Sequence, residues 1–319
     1  MTDIAQQFKS LRLPAFAAPM FLVSTPELVV NVCRAGMIGS FPAPNLRTSE
    51  ELGEWMARIS KQTKQAAFGP WNVAPWAVNL VTHSTSVRLP GDLEQIKKYK
   101  PPIVITALGS PKPVIPTVHN YGGLVFADVN SEAMARKAAA AGADGLVLVC
   151  TGAGGHTGDL TPFAFVERVR QFFDGFIALG GGISRGEAIL AAQALGADFG
   201  YLGTAFIAAE ESMAEAGYKE MLVDCTAQDL LVTRAFTGAK ASMLVPSIVA
   251  QGLDPQEVAT KIARMQFTGL QDQEVKPWKG IWGAGQGVGA VTCVEPAEAI
   301  VERLATQYRT AKARMGMAV

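Results

Sequence analysis

Short apolar runs alternate with amphipathic segments along roughly the first 210 residues, and this alternation restricts the fold more than any other feature of the sequence. Several runs are almost continuously hydrophobic, which is typical of parallel strands buried on both faces. We predict eight strands: AFAAPM (15–20), MIGSF (37–41), WAVNL (76–80), IVITAL (103–108), LVFADV (124–129), GLVLVC (145–150), FIALGG (176–181) and FGYLGT (199–204).

The segments between these runs carry the start and stop signals of helices. Segments 25–36, 131–142 and 184–196 begin with Ser or Thr and close on Gly, as helices with a side-chain cap and a glycine stop do. Eight strands alternating with helices predict a (β/α)8 TIM barrel. The alternative, an open doubly wound sheet, favours a glycine-rich dinucleotide turn after the first strand, yet AFAAPMFLVSTPE contains no glycine.

The last third of the chain has a different character. Charged, helix-prone segments follow residue 208, and WKGIWGAGQGVGAV comes after them. We predict a barrel domain over 1–221, a smaller and mostly helical insertion or cap over 222–280, and a return to the barrel over 281–319 that ends in a helix over 296–314.

Charge and composition exclude several classes of partner. The 28 basic and 28 acidic residues cancel and form no long run of one sign, so neither a nucleic acid nor a membrane surface is an expected partner. The N-terminus is polar, and no apolar run reaches the ~18 residues of a membrane span. The four cysteines lie far apart without a CxxC pair, which fits reduced thiols. We therefore expect a cytoplasmic protein.

Two glycine-bearing turns follow the last two predicted strands. GGGIS (180–184) comes after the seventh strand, and LGTA (202–205) comes after the eighth. Backbone N–H groups at such turns bind phosphate, and TIM barrels often hold phosphate at these positions. One such turn alone is equally compatible with a plain strand-to-helix connection. Two on adjacent strands predict a phosphate site.

The ends of the first and third strands carry further candidates. Ala18, Pro19 and Met20 end the first predicted strand, and the soft apolar surface of methionine suits a flat aromatic ring. Asn79 ends the third. An amide in apolar surroundings needs hydrogen-bonding partners, which a ring with donors and acceptors provides. The alternative for Met20 is simple core packing, and for Asn79 a structural role.

One histidine lies in an unusual glycine-rich stretch. Four glycines surround His156 in CTGAGGHTG (150–158), so a flat ligand can approach the backbone beside an imidazole suited to acid–base work. The alternative is a loop histidine in solvent or at a helix cap. His83 and His119 lack glycine support and are expected to be bystanders. The histidines lie too far apart for a metal site, and the serine-hydrolase motif GxSxG is absent.

With APM, GGHTG, GGGI and LGTAF in this order, the sequence resembles the nitronate monooxygenase family, once called 2-nitropropane dioxygenases, which are FMN-dependent TIM-barrel proteins. The resemblance covers roughly 10–210, with weaker support from TRAFTG (233–238) and WGAGQG (282–287). It implies that His156 lies beside the flavin as catalytic base or substrate anchor. It also implies that the cofactor-binding residues are Ala18, Pro19, Met20, Asn79, Gly154, Gly181, Gly182, Gly203 and Thr204.

The sequence departs from the family pattern at two places. Many relatives carry Gln or Glu where this chain has Val149, Cys150 and Thr151, and some carry Lys on the fifth strand, where LVFADV has none. The ligands of the flavin's pyrimidine side are therefore left open. The missing GxGxxG turn favours FMN over FAD.

The resemblance implies a reaction as well as a cofactor. The expected activity is oxidation of alkyl nitronates, and potentially nitroalkanes, by O2 to carbonyl compounds and nitrite. Flavin relatives with the same barrel are enoyl-acyl-carrier-protein reductases and NADH:quinone reductases, so an NAD(P)H-dependent reductase is the alternative. A non-catalytic flavin-binding protein is a third reading. The expected partners are a small-molecule substrate, O2 and a second copy of the chain in a homodimer.

Overall fold

The structure, a computed structural model, describes residues 3–263 and 278–317. Each of the eight predicted runs overlaps a strand, and three further short strands lie outside them. In chain order the described strands are β1 (Ala15–Ala17), β2 (Gly39–Pro42), β3 (Trp76–Val81), β4 (Ile103–Ala107), β5 (Leu124–Val129), β6 (Gly145–Val149), β7 (Gly155–His156), β8 (Phe176–Gly180), β9 (Phe199–Leu202), β10 (Leu230–Thr233) and β11 (Ala241–Leu244).

Eight of these strands form one parallel sheet in the order β2-β3-β4-β5-β6-β8-β9-β1. The two ends of this sheet meet, because Phe16 of β1 pairs with Ile38 just before β2. The Ala17 N–H donates to the Ile38 carbonyl at 2.8 Å, and the Ile38 N–H donates to the Ala15 carbonyl at 3.1 Å. The sheet is therefore a barrel, as the alternation of apolar and amphipathic segments predicts.

Helices follow most of the barrel strands. The described α-helices are α1 (Asp3–Gln7), α2 (Pro26–Arg34), α3 (Ser49–Gln62), α4 (Leu89–Tyr99), α5 (Ile115–His119), α6 (Glu132–Ala140), α7 (Pro162–Arg170), α8 (Gly186–Ala194), α9 (Thr204–Ile207), α10 (Ala216–Asp224), α11 (Val245–Ala250), α12 (Pro255–Thr260) and α13 (Ala297–Arg314). Thr25 and Ser131 cap α2 and α6 by accepting backbone N–H bonds. Among the described residues, no helix combines the length and apolarity needed to span a bilayer.

Aromatic side chains fill the barrel interior and close its amino-terminal end. Phe16, Phe126 and Phe199 are buried inside the ring. Phe8, in the 3-10 turn Phe8–Ser10, packs edge-on against Phe176 and Phe199 at centroid distances of 5.1 and 4.9 Å. With this end closed, the opposite end, where the strands finish, is left for a site.

A second, three-stranded sheet holds β7, which lies in the glycine-rich stretch, against the later part of the chain. β11 pairs antiparallel with β10 and, on its other side, with β7, where Ala241 faces His156. The described part of the predicted cap (222–280) thus contains strands β10 and β11 besides helices α11 and α12. Residues 264–277 of that segment lie outside the described residues, and the proposed domain limits stay a prediction.

Candidate functional site

A cavity of about 500 Å³ opens at the carboxyl ends of the barrel strands. Its walls come from the chain that follows β1, β3, β4, β5, β6, β8 and β9, and its size is typical of small-molecule sites. Every site residue predicted from the sequence lines this one cavity: Ala18, Pro19, Met20, Asn79, Gly154, His156, Gly181, Gly182, Gly203 and Thr204. The barrel therefore gathers residues that are far apart in the chain, because all parallel strands end at the same rim.

His156 is held by contacts from the later part of the chain. Its Nε2 lies 3.2 Å from the Thr237 hydroxyl, and its ring meets the Trp278 ring edge-on at 5.6 Å between centroids. The side chain is accessible from the cavity, yet the protein around it desolvates the imidazole and lowers its pKa below the ordinary 6.5. At neutral pH the ring is uncharged and has one nitrogen able to accept a proton.

The tautomer of His156 follows from the hydrogen bonds of Thr237. The Thr237 hydroxyl has one hydrogen to donate, and its oxygen lies 3.3 Å from the Ala239 carbonyl oxygen and 3.2 Å from His156 Nε2. When that hydrogen is donated to the Ala239 carbonyl, the His156 Nε2–H donates to the Thr237 oxygen. This arrangement leaves Nδ1 as the unprotonated nitrogen and the candidate proton acceptor.

The turn after β8 has the backbone conformation of a ligand cradle. Gly181 and Gly182 have φ of 140° and 69°, a region that favours glycine. A Cβ added at Gly182 would meet nothing within 4 Å, whereas one at Gly181 would lie 2.7 Å from the Thr151 carbonyl oxygen. The Gly182 N–H already donates to the Gly152 carbonyl, so it is not a free phosphate donor.

Thr204, at the start of α9, uses only part of its hydrogen-bonding capacity in the described protein. Its hydroxyl oxygen accepts the Gly285 N–H at 2.9 Å. A hydroxyl also has one hydrogen to donate. Because Gly203 and Thr204 line the cavity beside the β8 turn, this hydroxyl hydrogen is available to an anionic group placed between the two turns.

Gly154 has a different reason to be glycine from the one the sequence indicates. A Cβ there would lie 2.6 Å from the Gly285 nitrogen and 2.7 Å from the Ala284 carbonyl carbon. The missing side chain therefore lets the backbone of the histidine loop pack against the WGAGQG segment, and does not itself leave room for a ligand. Gly154 still lines the cavity, so cofactor binding by its backbone stays a prediction.

The floor of the cavity carries polar groups from inside the barrel that the sequence analysis missed. Asn79 donates to Asp128 Oδ2 at 3.4 Å. The other carboxyl oxygen of Asp128 and the hydroxyl of Tyr201 are shielded from solvent and have no hydrogen-bond partner among the described residues. Burial raises the pKa of Asp128 to about 7. Burial, and then the charge of Asp128, raise the pKa of Tyr201 well above 10.

The rim of the cavity is apolar, unlike its polar floor. The described lining residues include no Lys or Arg, and the rim on one side is formed by the half-exposed apolar side chains of Phe21, Leu108 and Met134. His83 and His119, the two predicted bystanders, lie outside the lining. His119 pairs with Asp144 at 2.8 Å, and His83 contacts Thr85.

A barrel whose strand ends surround one cavity with an imidazole at its edge defines a (β/α)8 enzyme acting on small molecules. The sequence model of the family described as Nitronate monooxygenase matches residues 3–307. The chain therefore belongs to the nitronate monooxygenase family, and it is an oxidoreductase. The resemblance stated from the motifs is confirmed.

Individual relatives agree with this membership. The nitronate monooxygenase of Paraburkholderia phytofirmans is 29% identical over 284 residues, which cover 76% of each chain. That of Pseudomonas aeruginosa is 27% identical, over 76% of this chain and 79% of the relative. The solved nitroalkane oxidase of Streptomyces ansochromogenes superposes with a TM-score of 0.78 at 25% identity, covering 97% of this chain and 99% of that chain. FabK of Thermotoga maritima, at 22% identity and a TM-score of 0.76, shares the fold.

Proposed function

We propose that the protein binds FMN in the cavity at the barrel mouth and oxidises alkyl nitronates with O2. The observation that carries this proposal is the convergence of the family's motif residues, from five different parts of the chain, on one cavity of about 500 Å³. Membership of the nitronate monooxygenase family supplies the reaction class.

The residues present fit the proposed cofactor. The open space beside Gly182 and its φ of 69° form a cradle that a side chain would fill. Gly181, Gly203 and the Thr204 hydroxyl would hold the phosphate together with this turn. Ala18, Pro19, Met20 and Asn79 would contact the ring, with the loop at Gly154 beside it. When bound, FMN supplies the electron transfer and the reaction with oxygen.

His156 supplies the proton chemistry in this proposal. Its uncharged ring offers Nδ1 to the α-proton of a neutral nitroalkane, while Thr237 fixes the other nitrogen. A nitronate has already lost that proton, so its oxidation does not require the imidazole as a base. The apolar rim at Phe21, Leu108 and Met134 suits the alkyl part of such substrates.

The cofactor is tested by denaturing the purified protein and identifying the released chromophore by mass and absorbance. One FMN per chain is expected. FAD, or a protein that neither contains nor rebinds flavin, would refute the proposal.

The reaction is tested by anaerobic mixing of the flavin-loaded protein with propionate 3-nitronate, NADH or NADPH in parallel. The nitronate is expected to bleach the flavin absorbance, with nitrite appearing after air is admitted, and the nicotinamides are expected to leave the spectrum unchanged. Rapid bleaching by NADH or NADPH, with none by the nitronate, would assign the protein to the reductase branch instead.

A further inference from the structure

The polar floor of the cavity has hydrogen-bonding capacity that the protein itself does not satisfy. Asp128 Oδ1 and the Tyr201 hydroxyl both lack a partner among the described residues and are closed off from bulk solvent. Buried polar atoms in folded proteins nearly always have partners. Burying an unpaired carboxylate is energetically very unfavourable. Asp128 is therefore expected either to be protonated or to bind a ligand.

Among the described residues, the surroundings of Asp128 inside the barrel offer no cation to stabilise its charge. Strands β4 (IVITA) and β6 (GLVLV), which flank β5, carry no titratable side chain. Asn79 reaches it from β3 with only a 3.4 Å contact. The helices packed outside β5 carry His119, Glu132, Arg136 and Lys137. Besides Asp128, the titratable groups in the described cavity lining are His156, Tyr201 and Tyr218.

We propose that Asp128 holds a proton when the cavity is occupied and donates it in a hydrogen bond to an acceptor atom of the bound flavin. This inference rests on the proposed function, because the flavin is its ligand. An oxidised flavin ring presents carbonyl oxygens and ring nitrogens as acceptors along its polar edge. A carboxylate would repel these acceptor atoms and could pair only with the single ring N–H at N3, whereas a carboxylic acid pairs with an acceptor.

Proton uptake upon binding follows from this arrangement. In the flavin-free protein Asp128 titrates with a pKa of about 7. Above that pH the group is ionised and must gain a proton before the flavin can bind. The affinity is then expected to fall as pH rises, approaching tenfold per pH unit. His156, whose pKa is lowered, is already uncharged across this range.

The experiment measures the dissociation constants of FMN and riboflavin from flavin-free protein between pH 6.5 and 9. Riboflavin lacks the phosphate, so a dependence common to both ligands excludes phosphate ionisation. The dissociation constant of the native protein should rise about tenfold between pH 8 and 9. Asp128→Asn keeps an amide donor at this position and should bind with no such slope. Asp174→Asn, at an exposed carboxyl away from the cavity, should keep the native slope.

Calorimetry in buffers of different ionisation enthalpy gives a measurement that needs no variant. Close to one proton should be taken up per flavin at pH 8.5. A flat native profile, an unchanged slope in Asp128→Asn, or binding without proton uptake would overturn the assignment of Asp128 and leave the FMN proposal intact. Failure of both flavins to bind at every pH would overturn the two proposals together.

Discussion

Replacing Asp128 by Asn is expected to stabilise the flavin-free protein, and more strongly at pH 8 than at pH 5. The carboxyl has an ordinary pKa of 3.8 and a pKa of about 7 in the folded chain. Between these values the folded state holds a proton that the unfolded state has lost. The free energy of unfolding therefore falls as pH rises through this window and levels off above pH 7.

The size of this effect follows from the two pKa values. A difference of about three pH units corresponds to about 4 kcal/mol of lost stability at pH 8, and about 1.5 kcal/mol is already lost at pH 5. Asparagine does not titrate, so the stability difference between Asp128→Asn and the native protein should be larger at pH 8 by about 2.5 kcal/mol. Constant packing differences between the two side chains cancel in this comparison.

Urea unfolding of flavin-free protein at both pH values measures this quantity. Asp174→Asn provides the matched control, because the same substitution at an exposed site should give the same stability difference from the native protein at pH 5 and pH 8. If the advantage of Asp128→Asn over the native protein is equal at the two pH values, Asp128 is not a buried acid with a raised pKa, and the argument built on the cavity floor fails with it.

Three further expectations concern the histidine and the glycines. His156→Asn should slow oxidation of neutral nitroalkanes by about 100-fold or more and that of preformed nitronates by less. Full activity of the flavin-loaded variant on both nitroalkanes and nitronates would exclude a role of His156 in the reaction. Thr237→Val should lower kcat for nitroalkanes and alter its pH profile, and Thr237→Ser should restore both. Gly154→Ala should lower Tm and flavin content, because its Cβ meets backbone at 2.6 Å. Gly182→Ala, whose Cβ meets no protein atom, should lower the stability of the flavin-free protein by only about 1 kcal/mol, although its methyl group would enter the flavin cradle. Equal losses of Tm would contradict this difference.

Most of the barrel is predictable because its determinants are local. Apolar runs of strand length, Ser or Thr caps and glycine stops each act within a few residues. The first strand ends at Ala17, before Pro19, although the apolar pattern continues to Met20. The predicted site residues converge because they follow strand ends, and a parallel barrel brings all such ends to one rim.

What the sequence does not reveal depends on contacts between distant segments. The pairing of β7 with β11 places His156 opposite Ala241. No local sequence pattern in either segment predicts this pairing. Gly154 was interpreted through a ligand, while the structure shows it against residues 284–285. Asp128 did have a local signal, a single charged residue inside LVFADV, but its meaning required knowing that this side chain points into the barrel beside Asn79 and Tyr201.

The closure of the barrel between β1 and β2 has a consequence for local opening of the sheet. Besides the Phe16–Ile38 bridge, this seam is held at its upper end by the Ser40 hydroxyl, which donates to the Ala17 carbonyl. The chain leaves the seam directly into Ala18, Pro19 and Met20 in the cavity wall. A ligand that contacts these residues would therefore stabilise the contact between β1 and β2. Amide hydrogen exchange at Ala17 and Ile38 should therefore slow on ligand binding more than exchange in β4, where the ring is continuous.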